Sequence, residues 1–381
     1  MSDREIELFE VVVDAAEVVD LRERLARTRW PDQLPATGWS LGTDRGALQE
    51  LCERWRSTFD WTDFARRCNQ FPQFTTAVDG QRIHFIHARS PEATARPLLI
   101  THGWPGSVAE FFDVIGPLAD PVAYGGQPED AFHVVAPSLP GYGFSGPTTE
   151  LGWNIERTAR AFGEVMDRLG YGRFFAQGGD WGAFVSSSLA KAFPSRVAAV
   201  QLNLVMAGPP GGNPTEEEKA AADKLATFVA TESGYQGIHA TKPQTVAYGL
   251  TDSPAGLAAW ILEKFHGWSG PEGDRKFNPD RLLDNISIYW LTGTINSSMR
   301  MYYEMMNPIT GARLTPTPLD VPLGVSRYPD EPFTAPRRWV EGTHHPASVS
   351  EPREGGHFPA MQVPDIFVED LRAFFRSWRW T

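Results

Sequence analysis

The chain has 381 residues, 41% of them hydrophobic and 22% charged, with a formal net charge of −12. That is globular composition, long enough for one large domain with an appendage or for two domains. The acidic balance without a Lys/Arg run argues against nucleic-acid and anionic-membrane partners, and two cysteines, Cys52 and Cys68, give neither a disulfide framework nor a CxxC metal pair.

The N-terminus is charged and runs into an amphipathic stretch rather than an apolar signal segment, and no apolar run is long enough to span a bilayer. A soluble, cytoplasmic protein is expected. Residues 1–73 read as a helical N-terminal extension, with Asp20-Leu-Arg-Glu-Arg-Leu-Ala-Arg27 at helical spacing, a break at Trp30-Pro31, and Gly46 to Cys52 continuing toward Phe59. From Phe74 the period changes. Phe74 to Val78, a turn at Asp79-Gly80, and Arg82 to His87 alternate as a hairpin does.

Short apolar strands then alternate with helix-length segments: 97–101 and 109–118, 132–136 and 155–169, 173–176 and 184–192, then 197–202. This alternation predicts an α/β fold, a mainly parallel sheet with helices on both faces. Between 206 and 317 the pattern breaks into helical segments at 216–230, 253–265, 279–290 and 297–305, an inserted helical cap. The core, 74–205, resumes over 318–381 with a strand at 321–326 and a last helix from Pro364.

The sharpest local signal is Gln177-Gly-Gly-Asp180-Trp-Gly182, between a predicted strand and a predicted helix. Small residues there permit a strained turn that lifts one side chain above the sheet edge, the nucleophile elbow of α/β-hydrolases. The plainer alternative is an Asp capping the next helix. An Asp nucleophile attacks carbon directly and forms an enzyme ester, without a base to deprotonate it first. The esterase motif Gly-x-Ser-x-Gly does not occur; Gly143-Phe-Ser-Gly146 only approaches it.

His102-Gly-Trp-Pro-Gly-Ser107 follows the strand at 98–101 and is placed to supply one oxyanion-hole N–H from Trp104, with Trp181 supplying the other. Glu354-Gly-Gly-His357-Phe precedes the last helix, where this fold keeps its histidine. His344-His345 is the rival site but lacks the glycine-bordered loop.

With these residues in hand the chain resembles, nearly end to end, the microsomal-type epoxide hydrolases, α/β-hydrolases with an N-terminal extension. The matches include Thr28-Arg-Trp-Pro31, Asn69-Gln-Phe-Pro-Gln-Phe74, the His102 loop, Pro140-Gly-Tyr-Gly-Phe-Ser145, Gly178 to Gly182, Glu232-Ser-Gly-Tyr235, Leu257 to Phe265 and Gly355-Gly-His-Phe358. The resemblance implies Asp180 as nucleophile, His357 as base, Glu331 as the acid orienting it, and Tyr235 and Tyr302 as donors to the epoxide oxygen. Asp330 is the alternative acid, and Pro332 after Glu331 departs from the family run; Tyr303 is expected to face away from the site. It further implies a hydrophobic epoxide and water as reactants, a vicinal diol as product, and no metal or organic cofactor. A homo-oligomer stays open. The arginine-rich basic set resembles bacterial relatives, some of which serve natural-product pathways such as those to enediyne antibiotics. Two other classes remain: a haloalkane dehalogenase, which also follows its elbow Asp with Trp, and a non-catalytic binding protein on the same fold.

Overall fold

The computed structural model describes residues 5–312, 316–332 and 334–380. The charged first residues and 313–315 of the expected cap lie outside them.

Among the described residues nine strands form one sheet in the order β1-β2-β3-β5-β4-β6-β7-β8-β9. β2 (Gln73–Val78) and β3 (Gln81–Ala88) are the hairpin, and β3 runs antiparallel to β5 (Phe132–Pro137). β4 (Arg96–Thr101), β5, β6 (Phe174–Gly178), β7 (Val197–Leu202), β8 (Leu323–Ser326) and β9 (Ser348–Ser350) run parallel to one another. All five residues of β6 are buried, the continuous apolar run that a strand covered on both faces requires.

The N-terminal segment is not wholly helical. β1 (Glu7–Phe9) adds an antiparallel edge to β2, and three residues are too few to carry any period. Three helices follow, Ala15–Ala26, Arg45–Ser57 and Trp61–Cys68, each started by an aspartate (Asp14, Asp44, Asp60) whose side chain accepts from a first-turn N–H. The expected helix at 109–118 is instead a short turn, Val108–Phe111, and one helical turn at Ile115–Ala119.

Between β7 and β8 the described residues hold helices and no strand. Besides the four expected, Gly234–Thr241 and Pro243–Asp252 are helical, split at Lys242 by the proline. The N-terminal helices grip this segment. Trp55 Nε1 donates to Ser287 Oγ at 3.0 Å, and Arg67 forms a two-pronged bridge to buried Asp284 at 2.6 and 2.7 Å. No described helix is long and apolar enough to cross a membrane.

Candidate active site

Asp180 opens the helix Asp180–Ala192 directly after β6, with φ of +47°, a conformation a non-glycine residue holds only under local constraint. The helix N-cap is Gly179, and Asp180 makes no cap bond; its Oδ1 accepts from the Trp104 backbone N–H at 2.8 Å. The capping alternative therefore does not describe it. Two glycines make the turn possible by close approach. A Cβ on Gly182 would sit 1.9 Å from the Thr101 carbonyl oxygen, and one on Gly103 would sit 2.2 Å from Asp180 Oδ1. Trp181 follows in the first helical turn, where N–H groups have no intrahelical acceptor.

His357 Nε2 lies 3.3 Å from Asp180 Oδ2, and its Nδ1 lies 2.8 Å from Glu331 Oε2. Asp330 instead pairs with Lys276 at 2.8 Å, and His344 bonds the Met206 carbonyl at the surface. Burial opposes charge on His357, but Glu331 and Asp180 outweigh it and raise the ring to about 10. In this state the histidine is a cation between two carboxylates.

The loop carrying Trp104 is fixed from the helix Pro279–Thr292. Asn285 Nδ2 donates to the Pro105 carbonyl at 2.8 Å, Ser107 Oγ donates to Asn285 Oδ1 at 2.7 Å, and Tyr289 OH donates to the Gly106 carbonyl at 2.8 Å.

Above the floor stand Tyr235, in Gly234–Thr241, and Tyr302, in Ile295–Met306, both buried, with ring centroids 5.6 Å apart. Tyr235 stacks on Trp104 at 5.1 Å, and Tyr302 meets Trp181 edge-on at 4.7 Å. Burial raises both phenols above their ordinary range, as does the charge of Asp180, so both keep their proton. Tyr303 is only half-buried. The structure thus joins all seven residues named from sequence in one cluster of contacts, with Trp181 entering it through Tyr302.

Sequence reasoning passed over four neighbours. Trp268 faces His357 at 4.8 Å and Tyr235 at 5.4 Å; His239 meets Trp104 at 4.6 Å; buried Lys264 holds its amino group 4.5 Å from the centre of the Tyr235 ring. Glu110 is buried beneath the His102 loop. An acid inside the apolar run Val108-Ala-Glu-Phe-Phe112, and a lysine inside Leu257 to Phe265, were the available signals.

Comparison with known proteins decides the family. Residues 6–111 match the epoxide hydrolase N-terminus and 96–230 the alpha/beta hydrolase fold. Epoxide hydrolase 1 of Sus scrofa is 36% identical, over 98% of this chain and 89% of its own. The crystal structure of the juvenile hormone epoxide hydrolase of Bombyx mori superposes with a TM-score of 0.90 at 31% identity, covering 99% of this chain and 95% of that one. The Aspergillus niger epoxide hydrolase gives 0.87 at 32%, with 99% and 97% covered.

The chain belongs to the microsomal-type epoxide hydrolase family. This epoxide hydrolase accordingly acts on an epoxide and water, on an α/β-hydrolase fold.

Proposed function

We propose that the enzyme opens a hydrophobic epoxide through a covalent ester on Asp180 and releases a vicinal diol. The observation that carries this reading is the Asp180 carboxylate itself, with one oxygen on the Trp104 N–H, the other facing His357 Nε2, and two neutral phenols above.

In the first step Asp180 Oδ2 attacks an oxirane carbon, the carbon–oxygen bond breaks away from it, and Tyr235 and Tyr302 donate to the departing oxygen, one of them giving up its proton. Esterification removes the Asp180 charge. With it goes part of what raised His357, so the imidazolium yields its proton to the phenolate and becomes the neutral base that the second step needs. His357, oriented by Glu331, then takes a proton from water, whose oxygen adds to the ester carbonyl carbon. The oxyanion rests on the Trp104 and Trp181 N–H groups; its collapse breaks the bond to the diol oxygen, which takes the proton from His357, and the proton left on the Asp180 carboxyl then returns to His357.

Residues 206–317 serve in this reading as a cap that brings the tyrosines, and 1–73 as an extension that anchors it. The aromatic lining favours a bulky apolar or aryl epoxide. A soluble, cytoplasmic bacterial setting and an enediyne-type pathway belong to the same proposal, resting on the sequence resemblance. The buried indole N–H groups of Trp104 and Trp181 have no hydrogen-bond partner, a feature a dehalogenase would use to hold halide. Chloride release from haloalkanes tests that second reading. The first is tested by one turnover in heavy-oxygen water, which should label Asp180; label confined to the diol overturns it.

A further inference from the structure

His239 stands among the roof residues and takes no part in either chemical step. It lies in the helix Gly234–Thr241, one turn after Tyr235, and its side chain is fully buried. Its ring meets Trp104, Tyr302 and Tyr235 edge-on, with centroids 4.6, 4.9 and 5.4 Å away. The imidazole therefore borders both phenols and the tryptophan whose backbone N–H holds Asp180.

Hydrogen bonding fixes where the proton of this ring sits. Trp260 Nε1, which can only donate, gives its hydrogen to His239 Nε2 at 3.2 Å. Nε2 is then an acceptor, and in a neutral imidazole the proton belongs to Nδ1. The ring is neutral near pH 7, because burial, helped by the Lys264 ammonium, lowers it to about 3. Nδ1–H is accordingly a buried donor, and no acceptor among the described residues receives it. The aromatic faces around it are only weak acceptors. A buried N–H without a partner is rare and costly, so its place in this cluster points to an acceptor brought from outside.

We propose that His239 sets the substrate preference of the site, its Nδ1–H taking an ether or carbonyl oxygen that the substrate carries beside the oxirane ring. The inference rests on the epoxide-opening reading above, which puts the oxirane oxygen at Tyr235 and Tyr302. Since the imidazole borders both of those rings, a substituent on the oxirane passes it. The aromatic lining still favours an apolar substrate, and His239 selects among apolar epoxides the one with an oxygen at this point. An analogue without that oxygen desolvates the donor and returns nothing for it. The bond involves no atom whose charge changes as the ring opens. It strengthens ground state and transition state alike, and so acts on KM rather than on kcat.

The test compares benzyl glycidyl ether with its carbon analogue, in which a methylene replaces the ether oxygen. The quantity measured is the ratio of their kcat/KM values, followed as diol formed by one preparation of the full-length enzyme. That ratio does not depend on the folded fraction, and comparing it between variants cancels the intrinsic reactivity of the two epoxides. His239→Phe keeps an aromatic ring and removes the N–H. The ratio should fall by roughly three- to tenfold, the range for one neutral hydrogen bond, mainly through the KM of the ether. His239→Asn keeps an amide donor near the position of Nδ1 and should hold most of the parent ratio. A ratio unchanged in His239→Phe overturns the proposal and leaves the N–H to the face of Trp104. A ratio lost as fully in His239→Asn overturns it too, since ring shape would then be the selector. In both cases diol still forms and the epoxide-opening reading stands. If the parent forms no diol from either compound, that reading fails and this inference falls with it.

Discussion

The floor and the roof of the site are built by different means. The floor comes from loops at the ends of parallel strands: Asp180 after β6, Trp104 after β4, Glu331 after β8, and His357 before the last helix. There the backbone does the placing, through a positive φ at Asp180 and glycines that admit close contact. The roof comes from side chains on two helices, Gly234–Thr241 and Ile295–Met306, whose positions depend on packing against each other and against Trp104 and Trp181. A constraint in the backbone leaves its mark in a few consecutive residues. Packing between distant helices leaves none that is as local.

The comparison predicts that damage to the floor stops a chemical step while damage to the roof slows one. Asp180→Asn replaces a carboxylate with a poor nucleophile, and diol formation should fall by roughly 10⁴-fold or more, the scale for losing a nucleophile. No ester adduct should appear by intact-mass measurement. His357→Gln should differ in kind, since the histidine serves the second step. Ester should form and persist as an adduct of enzyme plus substrate mass; a variant that turns over no substrate and carries no adduct would show that the floor does not divide its labour this way.

On the roof, Tyr235→Phe and Tyr302→Phe should each slow ester formation by roughly ten- to a thousandfold, the range for losing one donor to a developing oxyanion. The partner phenol remains and sustains part of the rate. The double variant should be slowed far more, because no donor is left. Tyr303→Phe should be nearly silent, and the roof is misassigned if stopped flow finds the reverse order at 302 and 303.

How much of this was legible follows the same division. The elbow, the His102 loop and the glycine-bordered His357 are runs of adjacent residues, and the structure brings them together. Glu331 and Asp330 are neighbours in sequence, and only the fold turns the first to His357 and the second to Lys276. The tyrosines came from family resemblance, since an aromatic residue in a helix carries no local sign of facing a site. β1 went unseen because an edge strand of three residues is held by backbone bonds to β2. Glu110 was missed because a single acid in an apolar run reads as a surface position until its burial is known.

The helix Pro279–Thr292 clamps the Trp104 loop of the floor on one side and is held by the N-terminal helices on the other. Arg67 is the strongest of those holds. Its partner Asp284 is almost fully buried, and burial pushes that carboxyl up despite the pull of Arg67. Arg67→Ala strands the carboxylate and should cost about 3–5 kcal/mol of unfolding free energy in urea, toward the low end because Arg281 lies 3.3 Å from the same group. Ester formation should slow as well, since the loop that carries the Trp104 N–H loses its backing.

The smaller loss of stability is expected at the second bridge to the same helix, where Arg54 meets Asp280 at 2.7 Å. The geometry is as short as at Arg67, and distance alone predicts a similar loss. Exposure decides otherwise: the two side chains are 43% and 33% exposed, against 13% and 1% for Arg67 and Asp284. Water solvates Asp280 once its partner is gone, so no charge is left stranded in a low-dielectric site. Arg54→Ala should therefore lower stability by only about 0.2–1 kcal/mol and leave ester formation unchanged. Adding salt should erase most of that difference while leaving the Arg67 effect in place, because screening acts on exposed pairs far more than on buried ones. A urea titration of the two variants at low and high ionic strength measures this, and equal losses at Arg54 and Arg67 would mean that the extension holds the helix by charge number rather than by burial.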